Sequence, residues 1–189
     1  MGKRIFDFFG SLFFLIILSP LLVLIATLVW LTSGKPIIFK QERLGFKKKP
    51  FVLYKFRSML NGSDKIERIV VKGDERVTGI GKYLRKTHLD ELPQIWNIFK
   101  GDMSLVGPRP LPPDCILIKL MENNPKHKSL FDVRPGLTGL TQIRGRLWVH
   151  RNFNEAVRIE SDYVLKNNLT LDLRILLATI IVVMRGQGV

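Results

Sequence analysis

FFGSLFFLIILSPLLVLIATLVWLTSG, running from Phe8 to Gly34, carries no charged residue and decides how the rest of the chain is read. At about 1.5 Å per helical residue it reaches ~40 Å, enough to cross the ~30 Å hydrocarbon core of a bilayer. A secretory signal would have a shorter apolar region, and Thr32-Ser33-Gly34 does not form an A-x-A-like cleavage site. The segment is therefore expected to stay in the chain and lie in lipid.

Ser19-Pro20 interrupts the run near its middle. Proline removes an N–H and collides with the preceding turn, so two arrangements are open: a kinked single span, or a helix-break-helix whose arms enter and leave by one face. Lys3 and Arg4 precede the run, and Lys35, Lys40, Arg43 and Lys47-Lys48-Lys49 follow it. Basic residues at both ends favour the re-entrant form, although a single span with a cytoplasmic C-terminal flank also satisfies the positive-inside rule. In both arrangements residues 1–35 form the membrane segment and residues 36–189 a cytoplasmic domain.

The charge balance narrows the partners. Thirty Lys and Arg stand against 16 Asp and Glu, a formal charge of +14. That calls for an anionic partner: nucleic acid, an anionic leaflet or a phosphorylated small molecule. The chain has no groove-reading motif and no aromatic-interleaved basic surface, so nucleic acid is not expected. A single cysteine, Cys115, excludes an intrachain disulfide framework and reads as a small buried apolar residue. His88, His127 and His150 lack metal-ligand spacing, which argues against zinc.

Alternation in Ile37–Arg43 and Phe51–Arg57 around a basic loop predicts a β-hairpin. Val52, Tyr54 and Phe56 fall on one face of its second strand, with Lys55 and Arg57 on the other. Two cations on one strand face suit phosphates, or are ordinary edge charges. Residues 61–74 read as a polar loop with a short helix, and 78–86 as an amphipathic turn or two. Residues 152–166 predict an amphipathic helix with Glu155, Glu160 and Asp162. An apolar segment from Leu169 to Met184 is either surface-lying or core-packed.

Between these elements lies Leu89-Asp90-Glu91-Leu92-Pro93-Gln94, which places two acids side by side in a cationic chain. Such a pair commonly does no more than complement a helix dipole. With Pro93 in the first turn of a helix from Leu92 to Phe99, Asp90 or Glu91 would lie where the dipole favours a carboxylate and a phosphate alike. Arg85 precedes Asp90 by five residues. Arg109, between Pro108 and Pro110, and Arg134, before Pro135, are guanidinium groups on stiffened backbone, a mounting suited to bidentate phosphate recognition.

Taken together and in order, these motifs resemble the bacterial sugar transferases of the monotopic phosphoglycosyl transferase family. The resemblance runs from Lys3-Arg4-Ile5-Phe6-Asp7 and Ser19-Pro20 through Gln41–Gly45, Tyr54–Met59, Leu89–Gln94, Lys100–Ser104 and Gly107–Pro110. It ends at Val133–Gly139 and Gln142–Arg146. One departure is Arg144, where the family pattern would carry a small polar residue.

The resemblance implies transfer of a phosphosugar from a UDP-sugar to polyprenol (undecaprenyl) phosphate, with release of UMP, on the cytoplasmic face of the bacterial inner membrane. It also implies Mg²⁺ and a re-entrant hairpin broken at Ser19 and Pro20. Matched residue by residue, Asp90 corresponds to the nucleophile and a metal contact, and Glu91 to its partner carboxylate. Lys55, Arg85, Arg109 and Arg134 match basic substrate-binding positions. The expected fold class is α+β and mainly helical, with an N-terminal re-entrant helix-break-helix, a small β-hairpin and surface-lying amphipathic helices. The sequence names neither the sugar nor the oligomeric state, and a homo-oligomer is one alternative. Residues 60–76 and 143–152 are candidate determinants of sugar choice.

Overall fold

The computed structural model describes residues 2–63, 73–113, 129–144 and 152–185. It is mainly helical, with two small two-stranded sheets. Cys115, His127, His150 and most of the two candidate specificity segments lie outside the described residues.

The apolar run forms α1, Gly2–Ser33, a single helix assigned without interruption through Pro20. The expected helix-break-helix is corrected here, for a local physical reason. Pro20 cannot donate to the carbonyl of Ile16, and the Ser19 hydroxyl donates to that carbonyl instead, at 2.8 Å. Ser19 thus satisfies the acceptor that its neighbour would orphan.

Both ends of α1 are tied to the rest of the chain. At the start, Asp7 is buried and accepts hydrogen bonds from the Ser104 hydroxyl and the Leu105 N–H, each at 3.0 Å. Arg4 donates to the carbonyls of Ile98 and Phe99, and Lys3 is paired with Asp172. The basic N-terminal flank, read from sequence as a topology signal, is therefore engaged inside the protein. At the far end Arg57 donates to the carbonyls of Ser33, Gly34 and Lys35 and to Asn61. Those are carbonyls that the end of a helix leaves without intrahelical donors, and a cation suits the negative end of the dipole.

After α1 come β1 (Ile38–Leu44) and β2 (Pro50–Phe56), an antiparallel hairpin paired from Ile38 with Phe56 to Leu44 with Pro50. The hairpin matches its sequence reading, and its second strand has no single buried face. Leu53 and Phe56 are buried while Val52 is exposed, because β2 packs on both of its faces: Leu53 joins the central core and Phe56 the cluster under α1.

Next are α2 (Gly79–Lys86) and α3 (Gln94–Lys100), then β3 (Ser104–Val106) and β4 (Gly136–Thr138), which pair in parallel. Gly136 is required by close approach: a Cβ there would stand 2.0 Å from the Gly107 amide nitrogen. The glycine-proline motifs at 107–110 and 134–136 thus meet back to back. The chain continues as α4 (Phe153–Lys166) and α5 (Leu169–Met184).

One core cluster joins Leu53, Ile98, Met103, Leu105, Val106, Tyr163 and Ile175. A second joins Ile25 and Val29 of α1 to Phe56 and Leu84, with Leu89 and Leu92 packed against it. The boundary drawn at residue 35 falls between α1 and β1, yet α1 shares this core with the domain. What α1 does not bury is strongly apolar: Phe9, Phe13, Ile16, Ile17, Val23, Leu24 and Leu31 are all exposed. So are Leu173, Leu177, Ile180, Ile181 and Met184, which recur at helical spacing along one stripe of α5.

Candidate active site

Asp90 and Glu91 do not begin α3. They occupy their own 3₁₀ turn, Leu89–Glu91, entered through His88 in the left-handed region (φ 58°). The Glu91 N–H returns to the His88 carbonyl at 3.1 Å, and Pro93 then caps a seven-residue α3 that starts at Gln94. The expected helix from Leu92 to Phe99 is thus shifted by two residues at its start and one at its end. Leu89 and Leu92, three apart on the turn, pack on the cluster that contains Ile25 and Val29. That contact anchors the acidic dipeptide to the membrane helix.

Asp90 is 4% exposed, whereas its neighbour Glu91 reaches a cleft. The cleft is walled by Arg43, Lys55, Glu91, Gln94 and Arg109, with Leu53, Pro110, Gly136, Leu137 and Gln142 completing it. Lys55 and Glu91 are ion-paired at 2.5 Å, and both side chains are mostly buried. The pair ties Lys55 to Glu91 at the cleft wall. Arg43 is braced by the Pro110 carbonyl at 3.2 Å and by Gln41.

The predicted basic residues divide. Lys55 and Arg109 line the cleft. Arg85 sits half-buried in the last turn of α2, where its charge acts on Asp74. Arg76 on one side of Asp74 holds that carboxyl down to about 2, chiefly by hydrogen bonding. Arg134 is absent from the cleft wall: its Nε donates to the Gly101 carbonyl at 2.8 Å, and its guanidinium lies over the Phe46 ring. Arg57, read from sequence as a phosphate candidate beside Lys55, is committed to the end of α1 instead. Arg144, the departure from the family pattern, is exposed and faces Glu155 at 3.7 Å.

Several residues of this region were not singled out as site residues by sequence. Arg43, Gln94 and Gln142 all fell within recognised motifs, but only folding brings them to one wall. Glu160 is the larger omission. On α4 the buried residues Ala156, Val157, Glu160 and Tyr163 form one helical stripe, so a glutamate stands in a core position. Its spacing from Ala156 and Tyr163 was the available signal. Burial pushes its carboxyl up to about 7, against the opposing effects of the Thr141 hydrogen bonds and of nearby Arg109. Glu160 and Arg109 both line an apolar cavity next to the cleft, with Leu44, Leu130, Phe131 and Val133.

The donor set also bears on a metal. Among the described residues no group of three His, Cys, Asp or Glu side chains comes together. A cation here would be held by one or two carboxylates and by ligand oxygens, which fits Mg²⁺ beside substrate phosphates and does not fit a closed protein cage.

A buried carboxylate next to a cationic cleft, hung on a helix with an exposed apolar face, defines a membrane-associated site for an anionic ligand. The chain belongs to the bacterial sugar transferase family, whose profile matches residues 1–186. It is 39% identical, over 98% of its length and 97% of the relative's, to the "Exopolysaccharide production protein PSS" of Rhizobium leguminosarum bv. phaseoli. It is 39% identical over 94% of its length to the "UDP-glucose:undecaprenyl-phosphate glucose-1-phosphate transferase" of Klebsiella pneumoniae, covering 39% of that protein. It is 38% identical over 98% of its length to the "Undecaprenyl-phosphate galactose phosphotransferase" of Salmonella typhimurium, covering 41% of that protein. The chain thus spans about two-fifths of those two longer relatives.

Proposed function

We propose that this chain transfers a sugar 1-phosphate from a UDP-sugar to polyprenol phosphate at the cytoplasmic face of the bacterial inner membrane. The observation that carries this reading is the Lys55–Glu91 pair lining one cleft with Arg109, one residue from buried Asp90, in a chain of this family. The names of its relatives supply the substrate class.

In the first half-reaction an oxygen of the Asp90 carboxylate attacks the β-phosphorus of the donor. An Asp90–phosphorus bond forms, the bond from that phosphorus to the bridging oxygen breaks, and UMP leaves with the electron pair. In the second, a phosphate oxygen of polyprenol phosphate attacks the same phosphorus and displaces Asp90, giving a polyprenol diphosphosugar. Glu91 accepts the proton of the incoming phosphate when it arrives protonated, and Lys55 and Arg109 offset the charge gathered on the diphosphate. Mg²⁺, held by Asp90 and diphosphate oxygens, would supply charge neutralisation at the leaving group.

The arrangement of α1 supports a monotopic placement, with both helix ends on one side of the membrane. Lys3, Arg4 and Asp7 at one end and the Ser33 and Gly34 carbonyls at the other are bound by the same folded body. A continuous helix held so at both ends keeps its exposed apolar face in one leaflet, and the apolar stripe of α5 rests in the same leaflet. That puts Asp90 at headgroup depth, where the phosphate of a lipid acceptor lies. The test is UMP release from a panel of UDP-sugars by the full chain in nanodiscs containing undecaprenyl phosphate. Turnover of at least one donor, abolished in Asp90→Asn, is expected; undiminished turnover by Asp90→Asn would overturn the assignment.

A further inference from the structure

The Glu160 carboxylate has no part in the reaction above. It is 6% exposed. Its Oε1 accepts from the Thr141 hydroxyl, while its Oε2 is buried and has no hydrogen-bond partner among the described residues. A buried acceptor without a donor is costly, and such orphans in native proteins mark sites that a ligand or an ion completes. Glu160 lines a cavity whose wall is otherwise almost wholly apolar, built from Leu44, Leu130, Phe131, Val133 and Val157. Arg109 belongs both to this cavity and to the cleft that holds Lys55 and Glu91.

Three parts of the two substrates could enter a cavity of this kind. A sugar ring brings hydroxyls on every side, and an apolar wall would strand most of them without partners. A prenyl chain suits the wall but brings no donor for Oε2. A pyrimidine imide suits both: two apolar faces for the aliphatic and aromatic wall, and one N–H for the carboxylate. It is also joined through ribose to the phosphates, which the position of Arg109 between cavity and cleft accommodates.

We propose that this cavity is the nucleobase site, in which Glu160 Oε2 accepts the N3–H of the donor's uracil ring and so selects uridine over cytidine nucleotides. This rests on the UDP-sugar reading above. Cytosine presents a lone pair at N3, not an N–H, so an acidic acceptor at this place repels it. Glu160 then acts as a specificity residue and not as a participant in phosphoryl transfer.

The test uses the full chain in nanodiscs at pH 8.5, above the value of about 7 to which burial raises Glu160, with UMP, CMP and N3-methyl-UMP as competing ligands and calorimetry as the readout. Hydrogen bonds to charged groups imply a preference of about 10- to 100-fold for UMP over both analogues. Glu160→Gln, whose amide can present either an oxygen or an N–H, should bring UMP and CMP to within about threefold of each other. Thermal melting of the variant verifies that it is folded, and Glu160→Asp, which keeps the acceptor, should retain part of the preference. Equal binding of UMP and N3-methyl-UMP by the unmodified chain would overturn the proposal, as would an unchanged UMP:CMP ratio in Glu160→Gln. If an N3-methylated UDP-sugar is turned over as well as the parent donor, the base site is wrong and the transferase reading stands. If no UDP-sugar is turned over and UMP does not bind, the transferase reading falls, and this proposal with it.

Discussion

Glu160→Gln should change how stability depends on pH, independently of any ligand. The carboxyl is moved by burial from its ordinary 4.5 up to about 7. Below 4.5 both folded and unfolded chains hold the proton, and the site costs nothing. Between 4.5 and about 7 the unfolded chain has released it while the folded chain still holds it. The native state then binds more protons than the unfolded one, so stability falls as pH rises and levels off above the folded value. At about 1.36 kcal/mol per pH unit, that window amounts to roughly 3 kcal/mol. The group is almost fully buried, so solvent screening takes little from this figure. Glutamine keeps the neutral shape and an oxygen for the Thr141 hydroxyl at every pH. The variant should match the parent near pH 4.5 and exceed it by about 3 kcal/mol at pH 8, roughly 6–12 °C in Tm for a chain of this size. Melting both proteins in the same detergent between pH 4.5 and 8.5 isolates the difference, since all other titrating groups are shared. A parent that gains relative to the variant as pH rises would refute this reasoning. It would mean that Arg109 holds Glu160 as a charged pair, outweighing the burial.

Two further substitutions test the framework that holds the site. Gly136→Ala would set a methyl 2.0 Å from the Gly107 amide and 2.4 Å from the Thr138 carbonyl, both backbone atoms that cannot yield. It should destabilise by about 3 kcal/mol or more and separate β3 from β4, visible as a lowered Tm and loss of amide protection at Gly107. Arg57→Met keeps much of the side-chain volume but removes the donors to the Ser33, Gly34 and Lys35 carbonyls. A loss of about 3 kcal/mol with normal affinity for UMP is expected. Lost UMP affinity in a folded Arg57→Met protein would return Arg57 to the phosphate site that its strand position first suggested.

What the sequence disclosed, and what it did not, follows from the range of each interaction. The β-hairpin and the bounds of α5 were legible because alternation and apolar runs are local patterns. The Asp90–Glu91 pair stood out by charge and adjacency, but the 3₁₀ turn beneath it depends on Leu89 and Leu92 packing against α1, some sixty residues earlier. Arg57 and Lys55 looked alike on one strand. Their partners are a helix end in one case and Glu91 in the other, which no strand pattern encodes. Arg134 looked mounted for phosphate because of Pro135, yet it serves the Gly101 carbonyl that closes α3. At Ser19-Pro20 the break was what the family resemblance implied, and the Ser19 hydroxyl donates to the Ile16 carbonyl that the proline leaves without a donor. Glu160 was counted among the polar residues of an amphipathic helix, although its spacing from Ala156 and Tyr163 already placed it on the buried stripe.

Whether Asp90 carries the phosphosugar between donor and acceptor is tested by a single mass measurement. The full chain is incubated with a turned-over UDP-sugar and Mg²⁺ in the absence of polyprenol phosphate, quenched, digested and examined for the peptide containing Leu89–Gln94. A peptide heavier by one sugar phosphate is expected, with the adduct on Asp90, formed together with one equivalent of UMP and discharged when undecaprenyl phosphate is added. Turnover to UMP and lipid-linked sugar with Asp90 unmodified throughout, and undiminished in Asp90→Asn, would contradict it.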